Sequence, residues 1–382
     1  MKLKMFLLFI LVLAFGLYLV VNSTYAEPFA WRRRFEFSFV LTEVEITYSG
    51  HAQFYAFDSG NFYFLTNSGM HYMNSQGEIV WDYPLNLSEP MLVGNFEHVA
   101  VADVRGNVLY VFGPSGRLHM NQFANPILHF SVNREGYASV LKRGRDYYEI
   151  SVINNRGTIF PNWRYQDQNL FPMSTSISND GRFTAASNLS IQRVNKMSNI
   201  MFMFNRLDEG RGVAEHLFAS QPRESQIAAL LHFMDRNRLL VFSDTAIANF
   251  NVRDNIEYSE IILTNRIEHV GFMGDRYFVV ALGAPLVNRD AQPIGRLEFY
   301  DATSSLVGSY NFGQNITYLS AGPNGVIVGA GHRFAAFSPR GELLWEYIAN
   351  QDVNQLIFLE NTNTVLMATN TGAVILNRQR VG

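Results

Sequence analysis

The chain has 382 residues, 48% of them hydrophobic and 14% aromatic, with a net charge of −3. Charged residues make up 16%, against about 25% in ordinary soluble domains. A near-neutral chain has no global basic field to draw nucleic acid. The absence of cysteine excludes a disulfide framework, thiol catalysis, thiolate metal sites and a lipidated cysteine.

In chain order, Lys2 and Lys4 precede an unbroken apolar run from Met5 to Val21. This is long for the apolar part of a cleaved signal peptide and short for a membrane-spanning helix. Thr24 and Ala26 stand at −3 and −1 of a cleavage site before Glu27. Residues 1–26 therefore read as a signal peptide or an N-terminal membrane anchor (residues 5–21), and either exports the remainder. Arg32, Arg33 and Arg34 oppose export behind an uncleaved helix by the positive-inside rule, which keeps an inverted topology open. Residues 27–34 read as a short linker.

From residue 35 onward, short alternating apolar segments are separated by Gly, Asn, Asp and Ser turns. The 31 Phe and 18 Tyr, with many β-branched residues, suit half-buried pleated surfaces. Even spacing of short strands predicts a sandwich, barrel or propeller. Residues 51–85 divide into strands near Gln53–Phe57, Phe62–Thr66, His71–Met73 and Glu78–Tyr83, a four-stranded meander. Residues 315–348 repeat it, near Ile316–Ser320, Val326–Gly329, Arg333–Phe337 and Glu342–Ile348.

Two internal matches set a period. SQGEIVW (75–81) recurs as PRGELLW (339–345), 264 residues on, and LTNSGMHYMNSQG (65–77) recurs as ATNTGAVILNRQR (368–380), 303 residues on. These are six units of 44 and seven of about 43, within the range of propeller blades. Both give eight units. Middle units anchor more weakly at residues 94, 130, 176, 230 and 269. Seven results if the fourth and fifth, interrupted by an irregular stretch at 190–224, form one blade. Unit eight has room for three strands, Gln355–Leu359, Thr364–Ala368 and Ala373–Asn377, while Phe35–Ile46 belongs to no unit. Donated as the missing outer strand, it closes the ring and covers exposed edges. The expected fold is thus an all-β, eight-bladed propeller over 35–382, with seven blades as the alternative.

A turn glycine followed by an acidic residue, two aliphatics and a tryptophan resembles the tryptophan-docking motif of pyrroloquinoline-quinone-type propeller repeats, a WD40-like architecture. The resemblance covers roughly residues 35–382, clear in units one and seven and thin elsewhere. That superfamily includes quinoprotein alcohol dehydrogenases and the propeller lipoprotein of the bacterial outer-membrane assembly machine. It implies that Trp81 and Trp345 pack between blades, with Gly77 and Gly341 at the turns. The dehydrogenase cofactor pocket does not carry over. It uses a vicinal disulfide, which this chain lacks, and a metal-and-base set that matches no motif here.

Candidate chemistry is sparse. His232 and Asp235 suggest a base with an orienting carboxylate, but a strand-end histidine and a turn aspartate account for them as well. Asp58, Asp103 and Asp180 sit beside turns, where aspartate bonds local backbone. Segments 190–224, with Met201 and Phe202, and 282–297, with Asn288, Arg289 and Asp290, break the repeat and are candidates for a binding face. No catalytic, cofactor or metal set is legible. The expectation is a non-enzymatic, exported scaffold that binds protein or peptide at a bacterial envelope, periplasmic or secreted. The rivals are an enzyme or small-ligand receptor with its site in the central channel, and a membrane-tethered sensory domain.

Overall fold

Alternating apolar residues between tight polar turns fold into strands along the whole described chain. The computed structural model describes residues 37–380, apart from 49, 51, 58–59, 104, 161–162, 166–168, 191–196, 206–216, 225, 254–255 and 286–294. The expected signal or anchor, the linker, Asp58, Asn288, Arg289 and Asp290 lie outside the described residues.

After β1 (Phe37–Thr47), the strands form consecutive four-stranded antiparallel meanders. Blade 1 is β2 (Ala52–Ala56), β3 (Phe62–Thr66), β4 (Gly69–Met73) and β5 (Ile79–Pro84). Blade 2 is β6 (Pro90–Asn95), β7 (His98–Asp103), β8 (Val108–Gly113) and β9 (Gly116–Gln122). Blade 3 is β10 (Ile127–Val132), β11 (Ala138–Arg143), β12 (Tyr148–Ile153) and β13 (Trp163–Tyr165). Blade 4 is β14 (Leu170–Ile177), β15 (Phe183–Ser190), β16 (Met197–Phe204) and β17 (Leu217–Glu224). Blade 5 is β18 (Leu230–Phe233), β19 (Arg238–Phe242), β20 (Ala246–Asn251) and β21 (Glu257–Ile262). Blade 6 is β22 (Asn265–Met273), β23 (Tyr277–Pro285), β24 (Arg296–Asp301) and β25 (Leu306–Asn311). Blade 7 is β26 (Tyr318–Gly322), β27 (Gly325–Ala330), β28 (Arg333–Phe337) and β29 (Leu343–Ile348). Blade 8 is β30 (Gln355–Phe358), β31 (Thr364–Ala368) and β32 (Gly372–Arg380), and its outer strand is β1, beside β32. The Tyr48 hydroxyl donates to the Thr369 carbonyl at 2.6 Å, fixing the end of β1 on the β31–β32 turn.

The blades number eight, not seven. The stretch 190–224 holds β16 and β17, an antiparallel pair from Met197↔Glu224 to Met203↔Leu217 with a bulge between Phe202 and Met203.

One turn chemistry recurs. The Asn74 side-chain oxygen accepts from the Gln76 and Glu78 amides at 3.0 and 2.9 Å. Asn133, Asn154 and Asp301 hold their turns the same way, and Ser338 does so with its hydroxyl. Such side chains replace backbone bonds that a tight turn cannot make. The fourth turn residue is left-handed: φ is +76° at Gly77 and +84° at Gly341. A Cβ at Gly77 would collide with Val44 of β1, and one at Gly341 would lie 2.7 Å from the Phe299 ring of blade 6. Glycine is required at both by conformation and by close approach of the preceding blade.

The core lies between blades rather than at the centre. Blades 6 and 7 enclose Val279, Leu297, Phe299, Val326 and Phe337. Blades 4 and 5 enclose Phe183, Ile200, Phe202, Leu239 and Phe250. Each such side chain contributes about 1.5–3 kcal/mol on burial.

The innermost strands of neighbouring blades are joined by side chains, each reaching from one blade to the next. Gln53 binds both the Pro90 carbonyl and the Leu92 amide of blade 2, at 2.8 and 3.0 Å. Asn95 donates to Val132, His129 Nδ1 accepts from the Thr175 amide, and Ser176 accepts from the Phe233 amide. His269 donates to the Ile316 carbonyl, Tyr318 bonds both backbone groups of Leu356, and Gln355 accepts from the Phe54 amide. At the junction of blades 5 and 6 the link is apolar: the His232 ring stacks on Phe272 with centroids 3.6 Å apart. These side chains satisfy inner-edge backbone groups that face no strand of their own sheet.

Candidate functional site

The inner strands leave an axial cavity of about 220 Å³, lined by residues of blades 1, 2, 5, 6 and 7. Its walls include Tyr55, Phe57, Phe96, His232, Phe272 and Leu319. Glycine backbone at 94, 271, 274 and 322 supplies the rest of the space. The Tyr55 ring packs directly over Gly94, where any Cβ would overlap it. Burial pushes the Tyr55 hydroxyl far above its ordinary range, partly offset by a hydrogen bond with the Phe96 backbone.

Phe96 is the strained member. It adopts φ +52°, a left-handed conformation uncommon for a bulky residue. Its ring lies 5.3 Å from that of Phe57, and the Arg134 guanidinium sits over it with Cζ 4.3 Å from the centroid. Arg134 belongs to the first turn of blade 3. Its Nη1 lies 3.6 Å from Asp275 Oδ2 in the first turn of blade 6, so the half-exposed pair bridges non-adjacent blades at one mouth of the channel.

His232 does not form a dyad with Asp235. The Asp235 carboxylate accepts the Asn237 and Arg238 amides at 2.8 and 2.7 Å, capping its own turn. Burial lowers the His232 pKa to about 4, so the ring is neutral near pH 7. Asp180 binds local backbone at Arg182, whereas the Asp103 carboxylate does not hold its own turn but accepts the Ser88 and Glu89 amides ahead of β6. Among the described residues no group of three His, Cys, Asp or Glu is placed to hold a metal ion.

Trp81 stacks on Tyr72 of its own blade and on Phe112 of blade 2, and its Nε1 donates to the Pro114 carbonyl at 2.8 Å. Trp345 meets Phe358 of blade 8 edge-on and donates to the Thr362 carbonyl at 2.7 Å. Phe202 is 0% exposed inside the core between blades 4 and 5. It presents no binding face, because β16 is an interior strand of its blade whose side chain points into the neighbouring sheet. Met201, its neighbour across the pleat, is half-buried against the core between blades 3 and 4. Tyr55, Phe96, Arg134, Phe272 and Asp275 escape sequence reasoning. Their one shared signal is position, near the end of a first strand or in the turn after it.

Eight four-stranded blades, each docked on the next about an axial cavity, define an eight-bladed β-propeller. Within that class the chain belongs to a family described as a family of unknown function, DUF5711, whose model matches residues 32–376. No curated protein sequence matches. Similar solved structures include AztD from Citrobacter koseri (11% identity, 80% of this chain and 88% of that one, TM-score 0.50). BamB from Moraxella catarrhalis is 12% identical over 89% of this chain and 100% of that one, TM-score 0.48. Hydrazine synthase from Kuenenia stuttgartiensis is 11% identical over 90% and 97%, TM-score 0.46. At these identities the likeness concerns the fold alone.

Proposed function

We propose that the chain is an exported, non-enzymatic propeller that binds a protein or peptide partner at the cell envelope through its outer strands. The observation that carries this reading is the apolar character of those strands. Ile79 and Val80 on β5, Tyr258 and Ile262 on β21, Leu306 and Val307 on β25, and Leu343 and Ile348 on β29 are all exposed, Ile262 at 66% and Ile348 at 77%. Each of these strands ends its sheet among the described residues, so its outward backbone edge is open. Open edges flanked by apolar side chains accept an added strand, with backbone bonds giving affinity and side-chain pockets giving selectivity. The export half of the reading rests on the apolar run Met5–Val21 and the Thr24–Ala26 cleavage pattern.

The test is photo-crosslinking from positions 262 and 348 in intact cells, with Ile262→Lys and Ile348→Lys as competing variants. One discrete adduct, lost in the lysine variants, supports the reading; its absence from envelope fractions sinks it. N-terminal sequencing of the mature protein separates the secreted from the tethered form, since a start at Glu27 excludes a retained anchor.

A further inference from the structure

We infer that the axial cavity is a second binding site, for a small apolar or aromatic group carrying a carboxylate, and that Arg134 is the residue that reads the carboxylate. The inference goes beyond the outer-strand reading and stands on different residues.

Three observations converge. The first is size and lining. About 220 Å³ is below the roughly 300 Å³ at which drug-sized ligands begin, so it suits one side-chain-sized group. Its side-chain walls are mostly aromatic and aliphatic, with glycine backbone and Asn95, whose amide is committed to the Val132 carbonyl, as the neutral polar part, and its one titratable nitrogen heterocycle, His232, is stacked on Phe272. A fixed ionic partner is therefore not available from the walls, and the ligand body must be uncharged.

The second is Phe96. A left-handed backbone is costly at a phenylalanine, yet glycine, free of that cost, is absent from the position. The strain holds an aromatic ring at the cavity rim, where it meets Phe57 at 5.3 Å. Tyr55, itself a wall residue, supports the strained backbone through its hydroxyl. Residues in sparsely populated conformations persist where surroundings over-determine them, and they cluster at ligand clamps.

The third is Arg134. Its guanidinium lies on that ring at 4.3 Å, facing Asp275 at 3.6 Å, a separation beyond hydrogen-bond range. Both partners are half-exposed, and an exposed pair of this kind is worth little. Arginine nonetheless offers a planar fork matched to a carboxylate. A ligand carboxylate at the mouth makes the two-pronged bond that Asp275 does not, while its apolar body occupies the aromatic cavity. The carboxylate can belong to a free small acid or to the C-terminus of a peptide ending in an apolar residue.

Isothermal titration calorimetry on the full chain separates these sources and tests the site. The probes are 3-phenylpropionate, 3-phenyl-1-propanol, acetyl-Ala-Ala-Phe with a free carboxylate, and the same peptide as its amide. At least one carboxylate probe is expected to bind saturably, and the alcohol and amide about ten-fold or more weaker, the worth of a charge-assisted hydrogen bond. Binding of the free acid alone identifies a small-acid site, and binding of the peptide acid identifies a chain terminus; both support the shared chemistry. Arg134→Gln should weaken the carboxylate probes about ten-fold, while Asp275→Asn, which removes the competing carboxylate, should tighten them. A merely structural ion pair would move both variants in the same direction. Such a result, equal binding of acid and alcohol, or no saturable carboxylate binding overturns the inference. The outcome is independent of the outer edge: Ile262→Lys and Ile348→Lys should leave probe binding unchanged.

Discussion

Blades 6 and 7 meet through hydrocarbon, and blades 3 and 4 meet largely through hydrogen bonds. The first interface buries Met273, Val279, Leu297, Phe299, Phe312, Ile316, Val326 and Phe337 together. The apolar cluster at the second is confined to Leu141, Ile150, Tyr165, Ala186 and Met203. Around it lie buried Ser139, Thr175 and Asn188, and Thr175 bonds His129 and Ser139 across the junction while Asn133 reaches the Ser178 carbonyl. The same backbone arrangement is therefore held in two ways. Area alone suffices for the first. The second holds only while each polar group keeps its partner, because an unpaired buried group costs about 1–3 kcal/mol.

The other face of blade 3, turned to blade 2 around Phe123 and Val140, holds a buried ion pair. Lys142 Nζ bonds Glu149 at 2.6 Å and Ser151 at 2.6 Å, and lies 4.4 Å from the Phe123 ring centroid. Arg164 Nε reaches the other Glu149 oxygen at 3.0 Å. The largest loss should come from removing one partner of that pair, a polar contact set within hydrocarbon. Lys142→Met should cost about 3–5 kcal/mol in urea denaturation, nearer the low end because Arg164 remains, whereas Lys142→Met with Glu149→Met should recover most of the loss. A double variant no more stable than the single would show that the pair is not the source of the stability.

Acid should separate the two kinds of junction next. Burial lowers both His129, at the blade 3–4 junction, and His232, at the blade 5–6 junction, to about 4. Each folded value lies below the unfolded value near 6.5, so the unfolded chain binds more protons in between. The stability they contribute is complete above about pH 6.5 and lost as pH falls toward 4. At one unit per about 1.4 kcal/mol, the loss is at most about 3 kcal/mol per histidine. Glu149 follows lower. Burial raises its pKa, but the hydrogen bonds and charges of Lys142 and Arg164 outweigh that and hold it below the usual carboxylate value. Its contribution is therefore lost only as pH falls below that range. His129→Asn should flatten the first limb of a stability–pH curve and leave the second; an unchanged first limb would refute the assignment.

The polar interface also explains what the sequence conceals. Blades 1 and 7 were legible because turn glycine, aliphatic pair and tryptophan recur in register, and the orphan strand before blade 1 pointed to β1 as the outer strand beside β32. Blade 4 was not, because STSIS (174–178) and TAASNLS (184–190) carry the residue types of turns while forming inner strands. There Ser174 and Ser187 bond each other at 3.1 Å, and Thr175 reaches Ser139 of blade 3 at 3.2 Å. Small hydroxyls fit a strand only when a partner hydroxyl faces them, and a partner some 36 residues away leaves no local pattern. The axial cavity was hidden for the same reason on a larger scale, since Tyr55, Phe96, His232, Phe272 and Leu319 converge from five blades. Ser174→Ala should accordingly cost about 1–2 kcal/mol by stranding Ser187, and Ser174→Ala with Ser187→Ala should cost less than that single change. Melting and urea curves for the three chains would decide it, and additive losses would count against the hydroxyl pair.

The smallest expected effect tests whether a hydrogen bond matters where hydrocarbon dominates. Trp345 is 5% exposed and Trp81 half-buried, yet each places one indole N–H on a carbonyl of the next blade. Trp345→Phe keeps most of the aromatic area against Phe358 but leaves the Thr362 carbonyl without its indole donor. A cost of about 1 kcal/mol is expected, the net worth of a typical hydrogen bond. Trp81→Phe should cost less, because water can reach its site and replace the donor. Equal losses at the two positions would mean that ring volume, not the bond, sets the value of the tryptophan. The repeated heptapeptide would then be a packing motif alone.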